Sequence, residues 1–169
     1  MDTSVILALA LTCAPDVHPH TAQALIRVES AFNPWAIGVV GGTLQHQPRH
    51  RAEALASARA LRDQGWNFSV GLGQINVTNF AKLGLTLKSA FDPCTNLAAM
   101  QAILSDCLER APGKRSAPAR RQMALRQALS CYYAGNYVTG FQHGYVRQVV
   151  HAAAATPATH SLKPSKEMP

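Results

Sequence analysis

Ala24-Leu25-Ile26-Arg27-Val28-Glu29-Ser30-Ala31-Phe32 is the stretch on which the reading of this chain turns. At helical spacing Glu29 stacks with Ala22, Leu25, Ile26 and Phe32, so a carboxylate falls on the apolar side of a helix. Loss of water there disfavours the charged form and raises the pKa. A carboxyl that keeps its proton near neutral pH can give it to a leaving group. Most helix-borne glutamates are structural, but few of those lie on the apolar face. Glu29 is therefore the candidate catalytic acid. Glu53 and Glu109 fall at polar helix positions and Glu167 near the C-terminus, so no glutamate offers an obvious second carboxylate. A lone acid needs help from its substrate.

Outward from this segment, the pattern is mainly helical (α+β) with a small antiparallel β element. One helix is expected over 3–13, closed by Pro15, and a second from Pro19 to Phe32, stopped by Asn33-Pro34. The stretches 36–42 and 67–72 are short, β-branched and edged by glycine, which predicts a hairpin or small sheet. Between them, 51–64 reads as a helix with Ala52, Leu55, Ala58 and Leu61 on one face and Gly65 closing it. A short helix is expected over 76–83, ended by Gly84. Residues 92–96 read as a cap for a helix over 97–110 with Leu97, Met100, Ile103, Leu104 and Cys107 as its apolar stripe. A loop over 112–118 and helices over 119–134 and 143–155 follow. Residues 1–155 thus form one domain, and the proline- and lysine-bearing 156–169 reads as a disordered tail.

The chain has 169 residues, enough for one domain with a real core, and no apolar run approaches the ~20 residues needed to cross a bilayer. Its formal charge of +7 favours an anionic partner without choosing among nucleic acid, lipid surface and cell-wall glycan. Cys13, Cys94, Cys107 and Cys131 form an even, scattered set, which predicts two disulfides and an oxidising compartment rather than four buried thiols. With Cys94 ahead of a helix and Cys107 inside it, the two are ~18 Å apart, too far for a direct bridge. Other pairings stay open. The apolar run Val5 to Leu11 has no Lys or Arg ahead of it but Asp2, so it reads as a first helix and not as a signal-peptide core.

Two further motifs carry candidate chemistry. In Gly71-Leu72-Gly73-Gln74-Ile75-Asn76 the glycines allow close backbone approach, and the Gln74 and Asn76 amides donate and accept as sugar hydroxyls and N-acetyl groups require. The competing reading is a strand-to-helix turn with Asn76 as cap. In Ser130-Cys131-Tyr132-Tyr133-Ala134-Gly135-Asn136-Tyr137 the tyrosines offer stacking faces and hydroxyl donors, against a plain helix end capped by Gly135. Other chemistries fare worse. Pro48 spoils a helical metal pair of His46 and His50, and no Gly-x-Ser-x-Gly elbow is present. The run Lys114, Arg115, Arg120, Arg121 and Arg126 lacks interleaved aromatics and reads as a solvated face, so nucleic acid is not the expected partner.

Taken in order, Glu29-Ser30, Gly71-Leu72-Gly73-Gln74-Ile75 and Cys131-Tyr132-Tyr133-Ala134-Gly135 resemble the motifs of the soluble lytic transglycosylase domain, a fold like goose-type lysozyme. The closer likeness is to the branch that accompanies type IV secretion and conjugation machines. It rests on Cys13-Ala14-Pro15, Arg27-Val28-Glu29-Ser30, Asn67 through Asn76, Ala90-Phe91-Asp92-Pro93-Cys94, and Gly140-Phe141 with Gly144-Tyr145-Val146, and covers about 3–150. Tyr133 replaces the asparagine usual in the third motif, so that amide contact does not carry over. The stretch 38–67 is longer than in the general family, as in the secretion branch.

The resemblance implies cleavage of the β-1,4 bond between N-acetylmuramic acid and N-acetylglucosamine in peptidoglycan. Glu29 would act first as acid and then as base, with the muramic N-acetyl group in place of a second carboxylate and a 1,6-anhydro ring as product. It implies that Gln74, Asn76 and Tyr132 hold the sugars and that Ser30 supports the site. No metal or cofactor is implied. The implied partners are glycan strands and type IV secretion components, and the implied compartment is the periplasm. Two rivals stand beside it: a hydrolytic muramidase on the same fold, and a non-catalytic wall-binding assembly protein.

Overall fold

Residue 2 sets the first helix. Asp2 accepts from the backbone N–H of Ser4 (2.9 Å) and Val5 (3.1 Å), capping α1 (Thr3–Cys13). The computed structural model describes residues 1–112 and 118–155. The expected tail, most of the 112–118 loop, and Lys114 and Arg115 of the basic run lie outside the described residues. The helices that follow are α2 (Pro19–Ser30), α3 (Arg51–Asp63), α4 (Phe80–Leu83), α5 (Leu87–Ala90), α6 (Pro93–Arg110), α7 (Pro118–Ala134), α8 (Thr139–Gln142) and α9 (Tyr145–Ala154). Strands β1 (Ile37–Val39), β2 (Phe68–Val70) and β3 (Ile75–Asn76) form one antiparallel sheet in that order.

Five helices close a ring: α6 packs on α1, α1 on α2, α2 on α9, α9 on α7, and α7 back on α6. Inside it lie Ile6, Leu25, Ile26, Leu97, Met100 and Val149, all essentially inaccessible to water. A smaller core sits under the sheet, where Ile37, Phe68 and Val70 meet Ala54 and Ala58 of α3 and Phe91. Two disulfides, Cys13–Cys94 and Cys107–Cys131, tie the N-terminal half of the ring to α6 and α6 to α7. Cys94 and Cys107 are not paired, as their separation along a helix requires.

The two expected strands pair in the register Ile37↔Val70 and Val39↔Phe68. The third strand, pairing Val70↔Ile75, was not anticipated because two residues carry no readable period. Several boundaries differ from expectation. Helix α2 ends at Ser30, not Phe32, because Ala31 (φ 49°) and Phe32 (φ 65°) turn left-handed. Helix α6 begins four residues earlier than expected: Asp92 caps it, accepting from Thr95 N–H at 2.8 Å, and Pro93 opens it. The segment 76–83 divides into the end of β3, a 3-10 turn (Val77–Asn79) and α4, closed by left-handed Gly84.

The long stretch 38–67 carries α3 and returns to the sheet at Asn67. Its Gln47 amide donates to the Ile37 carbonyl and accepts from the Ile37 N–H, both at 2.9 Å, and so occupies the open edge of β1. His46 and His50 make different contacts with one residue: His46 Nδ1 is 3.6 Å from the Glu53 carboxylate, and His50 caps α3 with Nδ1 accepting from the Glu53 backbone N–H.

Candidate active site

A groove of about 840 Å³ runs between the helix ring and the sheet. Gly38, Val39 and Ser69 wall it on the sheet side, Ile103 and Asp106 of α6 on the other, and Glu29 opens into it. The helical pattern of α2 puts Glu29 next to fully buried Leu25 and Ile26 while its carboxyl reaches the groove.

Burial pushes the Glu29 carboxyl up to about 7, and a hydrogen bond from the Tyr145 hydroxyl to Glu29 Oε1 restrains the rise. Removing water from the carboxylate is the larger effect, so the acid form is present near neutrality. Tyr145 is itself buried, and its hydroxyl is held far above the ordinary phenol range by burial and by the adjacent carboxylate. It therefore remains a donor. Tyr133 stacks on it, ring centroids 4.5 Å apart and 18° from parallel, and lines the groove.

The glycine loop is pinned from two directions. Tyr132 donates its hydroxyl to the Gly73 carbonyl, while the Gly73 N–H donates to Asn96 Oδ1 at 2.7 Å. Asn96 Nδ2 donates in turn to the carbonyls of Val70 (3.0 Å) and Ala90 (2.8 Å), so a buried amide joins α6 to the loop. Gly71 has φ 79°, and a Cβ there would lie 2.3 Å from Asn96 Nδ2, so the turn needs glycine. Gln74 adopts φ 49° and donates Nε2 to Ala36 O (3.1 Å) and Gly71 O (3.0 Å). Its Oε1 lies over Gly38, where a Cβ would come within 2.7 Å.

Four of the five expected site residues, Glu29, Gln74, Asn76 and Tyr132, line this one groove. Asn76 also does what a cap does: Oδ1 accepts from Thr78 N–H (3.0 Å) and hydroxyl (2.7 Å), and Nδ2 donates to Asn67 (2.8 Å) and Ser69 (3.2 Å). Ser30 stands behind the groove with its hydroxyl on the Ile26 carbonyl at 3.0 Å, at the end of the helix that carries Glu29. Among the described residues, Asp106 is the other carboxylate in the groove wall; Arg110 (2.8 Å) and Lys82 (3.5 Å) engage it and hold its pKa below the ordinary value.

The family model of the transglycosylase SLT domain matches residues 7–152, a span that contains the sheet, every groove residue named above and all of the ring but the first turn of α1 and the last two residues of α9. The chain belongs to this transglycosylase family.

The transglycosylase chain is 48% identical over 163 residues to the type IV secretion system protein virB1 of Brucella suis biovar 1, covering 94% of this chain and 68% of that protein. It is 50% identical over 155 residues to the protein of the same name from Brucella abortus biovar 1, covering 89% and 64%. To protein virB1 of Agrobacterium fabrum it is 38% identical over 164 residues, covering 95% and 64%. The chain thus spans about two thirds of the length of these relatives. No solved structure matches it.

Two residues of the candidate site in this transglycosylase chain receive no site role from the sequence. Tyr145 stands in the Gly144-Tyr145-Val146 motif of the family resemblance, but it opens α9, 116 positions from Glu29, and nothing within either segment announces the pairing. Asn96 reads as part of a helix start. Only its burial, 1% exposed, marks it as a clamp.

Proposed function

We propose that the chain is a peptidoglycan lytic transglycosylase that opens the cell wall locally for a type IV secretion or conjugation machine. One observation carries the chemistry: a carboxyl with a pKa near 7 opens into a long groove that also presents the Gln74 and Asn76 amides and Tyr132. Family membership supports the reaction class, and the similarity to proteins named for type IV secretion supports the setting. The two disulfides favour the periplasm, and no helix among the described residues is long and apolar enough to cross a membrane.

In this reading Glu29 gives its proton to the glycosidic oxygen as the bond to C1 of the muramic sugar breaks. The N-acetyl carbonyl of that sugar bears the positive charge developing at C1, which accounts for a single acid at the reaction centre. Glu29, now ionised and still bound by the Tyr145 hydroxyl, takes the proton of the C6 hydroxyl. The C6 oxygen closes on C1, giving the 1,6-anhydro end and restoring the acid. Tyr132 and Gln74 fix the loop against which the sugars lie, with Gln74 Oε1 as acceptor; Asn76 shapes the sheet-side wall, and Ser30 holds the helix end behind the acid.

A hydrolytic reading rests on Asp106, the second carboxylate of the groove, but its two cations bias it away from acting as a free base. Digestion of purified peptidoglycan, followed by mass spectrometry, separates the readings. Anhydro ends are expected from the wild type, and Glu29→Gln should lower their yield by roughly three orders of magnitude. Reducing ends would assign the hydrolytic reaction, and an active Glu29→Gln would remove Glu29 from the mechanism.

A further inference from the structure

The groove carries a second charged group besides Glu29. Lys82 of α4 and Arg110 at the end of α6 converge on a single oxygen, Asp106 Oδ2, at 3.5 and 2.8 Å. All three line the groove and stay open to solvent, with 71%, 57% and 41% of the Lys82, Arg110 and Asp106 side chains exposed. Two cations around one carboxylate leave a net positive charge in the wall. The same Arg110 Nη2 lies 3.9 Å from Cys131 Sγ in the disulfide that joins α6 to α7. Cys131 directly precedes Tyr132, so this cation lies near the residue that pins the glycine loop.

Neutral sugar hydroxyls and N-acetyl groups gain little from a pair of cations; a carboxylate gains charge-assisted hydrogen bonds, bidentate from Arg110. Peptidoglycan carries its carboxylates on the substituent of the muramoyl unit. They sit on the lactyl group itself when it is bare, and further out along the peptide when one is attached. We propose that Lys82 and Arg110 form a carboxylate receptor in the groove wall, by which the chain selects glycan strands according to the acidic substituent of their muramoyl units. This rests on the peptidoglycan reading above. Asp106 holds the two cations together and leaves the Arg110 fork and the Lys82 ammonium with donors to spare.

Three glycan preparations test it: strands with stem peptides, the same strands stripped by an amidase so that lactyl carboxylates are free, and stripped strands with those carboxylates capped as methyl amides. Dissociation constants are measured in the Glu29→Gln background, where no cutting confuses the reading, and turnover is measured in the Glu29 enzyme. The better carboxylate-bearing strand should bind about two- to fivefold more tightly than the capped one at low salt. The gap should shrink on the order of half-molar salt. Lys82→Gln with Arg110→Gln should bring the ratio to about one, and Arg110→Lys alone should keep only part of it, because the charge survives without the bidentate fork. Tighter binding of peptide-bearing than of stripped strands assigns the receptor to the peptide; the reverse assigns it to the lactyl group. A wild-type ratio retained by the double variant, or no ratio at all, overturns the receptor. A chain that distinguishes the strands but cuts none of them would overturn the proposed reaction and keep the receptor.

Discussion

At the scale of single residues, the site depends on two opposed influences on Glu29. Burial drives its pKa up and the Tyr145 hydroxyl holds it down, with about 7 as the balance. The hydroxyl donates to the ionised form, so Tyr145→Phe removes a stabiliser of the charge and the pKa should climb further. In the proposed mechanism the protonated carboxyl starts the reaction, and turnover falls as pH rises through that pKa. The alkaline limb of the pH–rate profile should therefore move upward in Tyr145→Phe, by about one pH unit. Loss of the anchor should lower kcat roughly tenfold. An alkaline limb that stays in place would show that the hydroxyl does not act on the carboxyl. The apolar face that carries Glu29 was legible from the spacing of Ala22, Leu25 and Ile26, because a helix repeats locally. Tyr145 was not, because its meeting with Glu29 is made by the packing of α9 on α2.

At the scale of elements, α6 is the spine of the site. It supplies Asn96 to the glycine loop, Asp106 and Arg110 to the groove wall, and Cys107 to the bond with α7. Replacing Asn96 with Leu leaves the Gly73 N–H and the Val70 and Ala90 carbonyls without their buried partner. The expected loss is about 2–4 kcal/mol, read from the denaturant midpoint. The disulfides should separate stability from activity. By loop-closure entropy Cys13–Cys94, spanning 81 residues, stabilises by about 4–5 kcal/mol, and Cys107–Cys131, spanning 24, by about 3.5 kcal/mol. The second bond lies in the groove wall beside Tyr132. Cys107→Ala with Cys131→Ala should therefore lose less stability but more activity than Cys13→Ala with Cys94→Ala, as thermal melts and wall digestion would report. The long helices were legible because caps and apolar stripes lie within each segment. Helix α2 stopped short because Ala31 and Phe32 turn left-handed, a conformation their side chains do not advertise.

At the scale of the whole molecule, the ring of helices and the sheet lobe meet along the groove, and the acid between them weakens the fold. The Glu29 pKa is raised on folding from an ordinary 4.5 to about 7, so the folded state binds the proton more tightly. Stability tied to this group is fully present below about pH 4.5 and is lost as pH climbs to about 7, where the folded carboxyl must ionise in place. The full span corresponds to at most about 3–4 kcal/mol. Glu29→Gln should thus melt close to wild type at low pH and higher than wild type at pH 8, by several degrees. Equal melting temperatures at both pH values would mean that the carboxyl is hydrated in the folded chain.

The sequence by itself determined the helical class, the small sheet in two of its three strands, the expectation of two disulfides, and an acid on the apolar face of α2. Each of these follows from a period, a cap or a count that neighbouring residues fix among themselves. Only the tertiary structure decided the disulfide partners, the Tyr145 bond to the acid, the Asn96 clamp and the gathering of Lys82, Asp106 and Arg110 on one wall. Those contacts join distant segments, and where distant segments meet depends on how the helices and the sheet pack against one another.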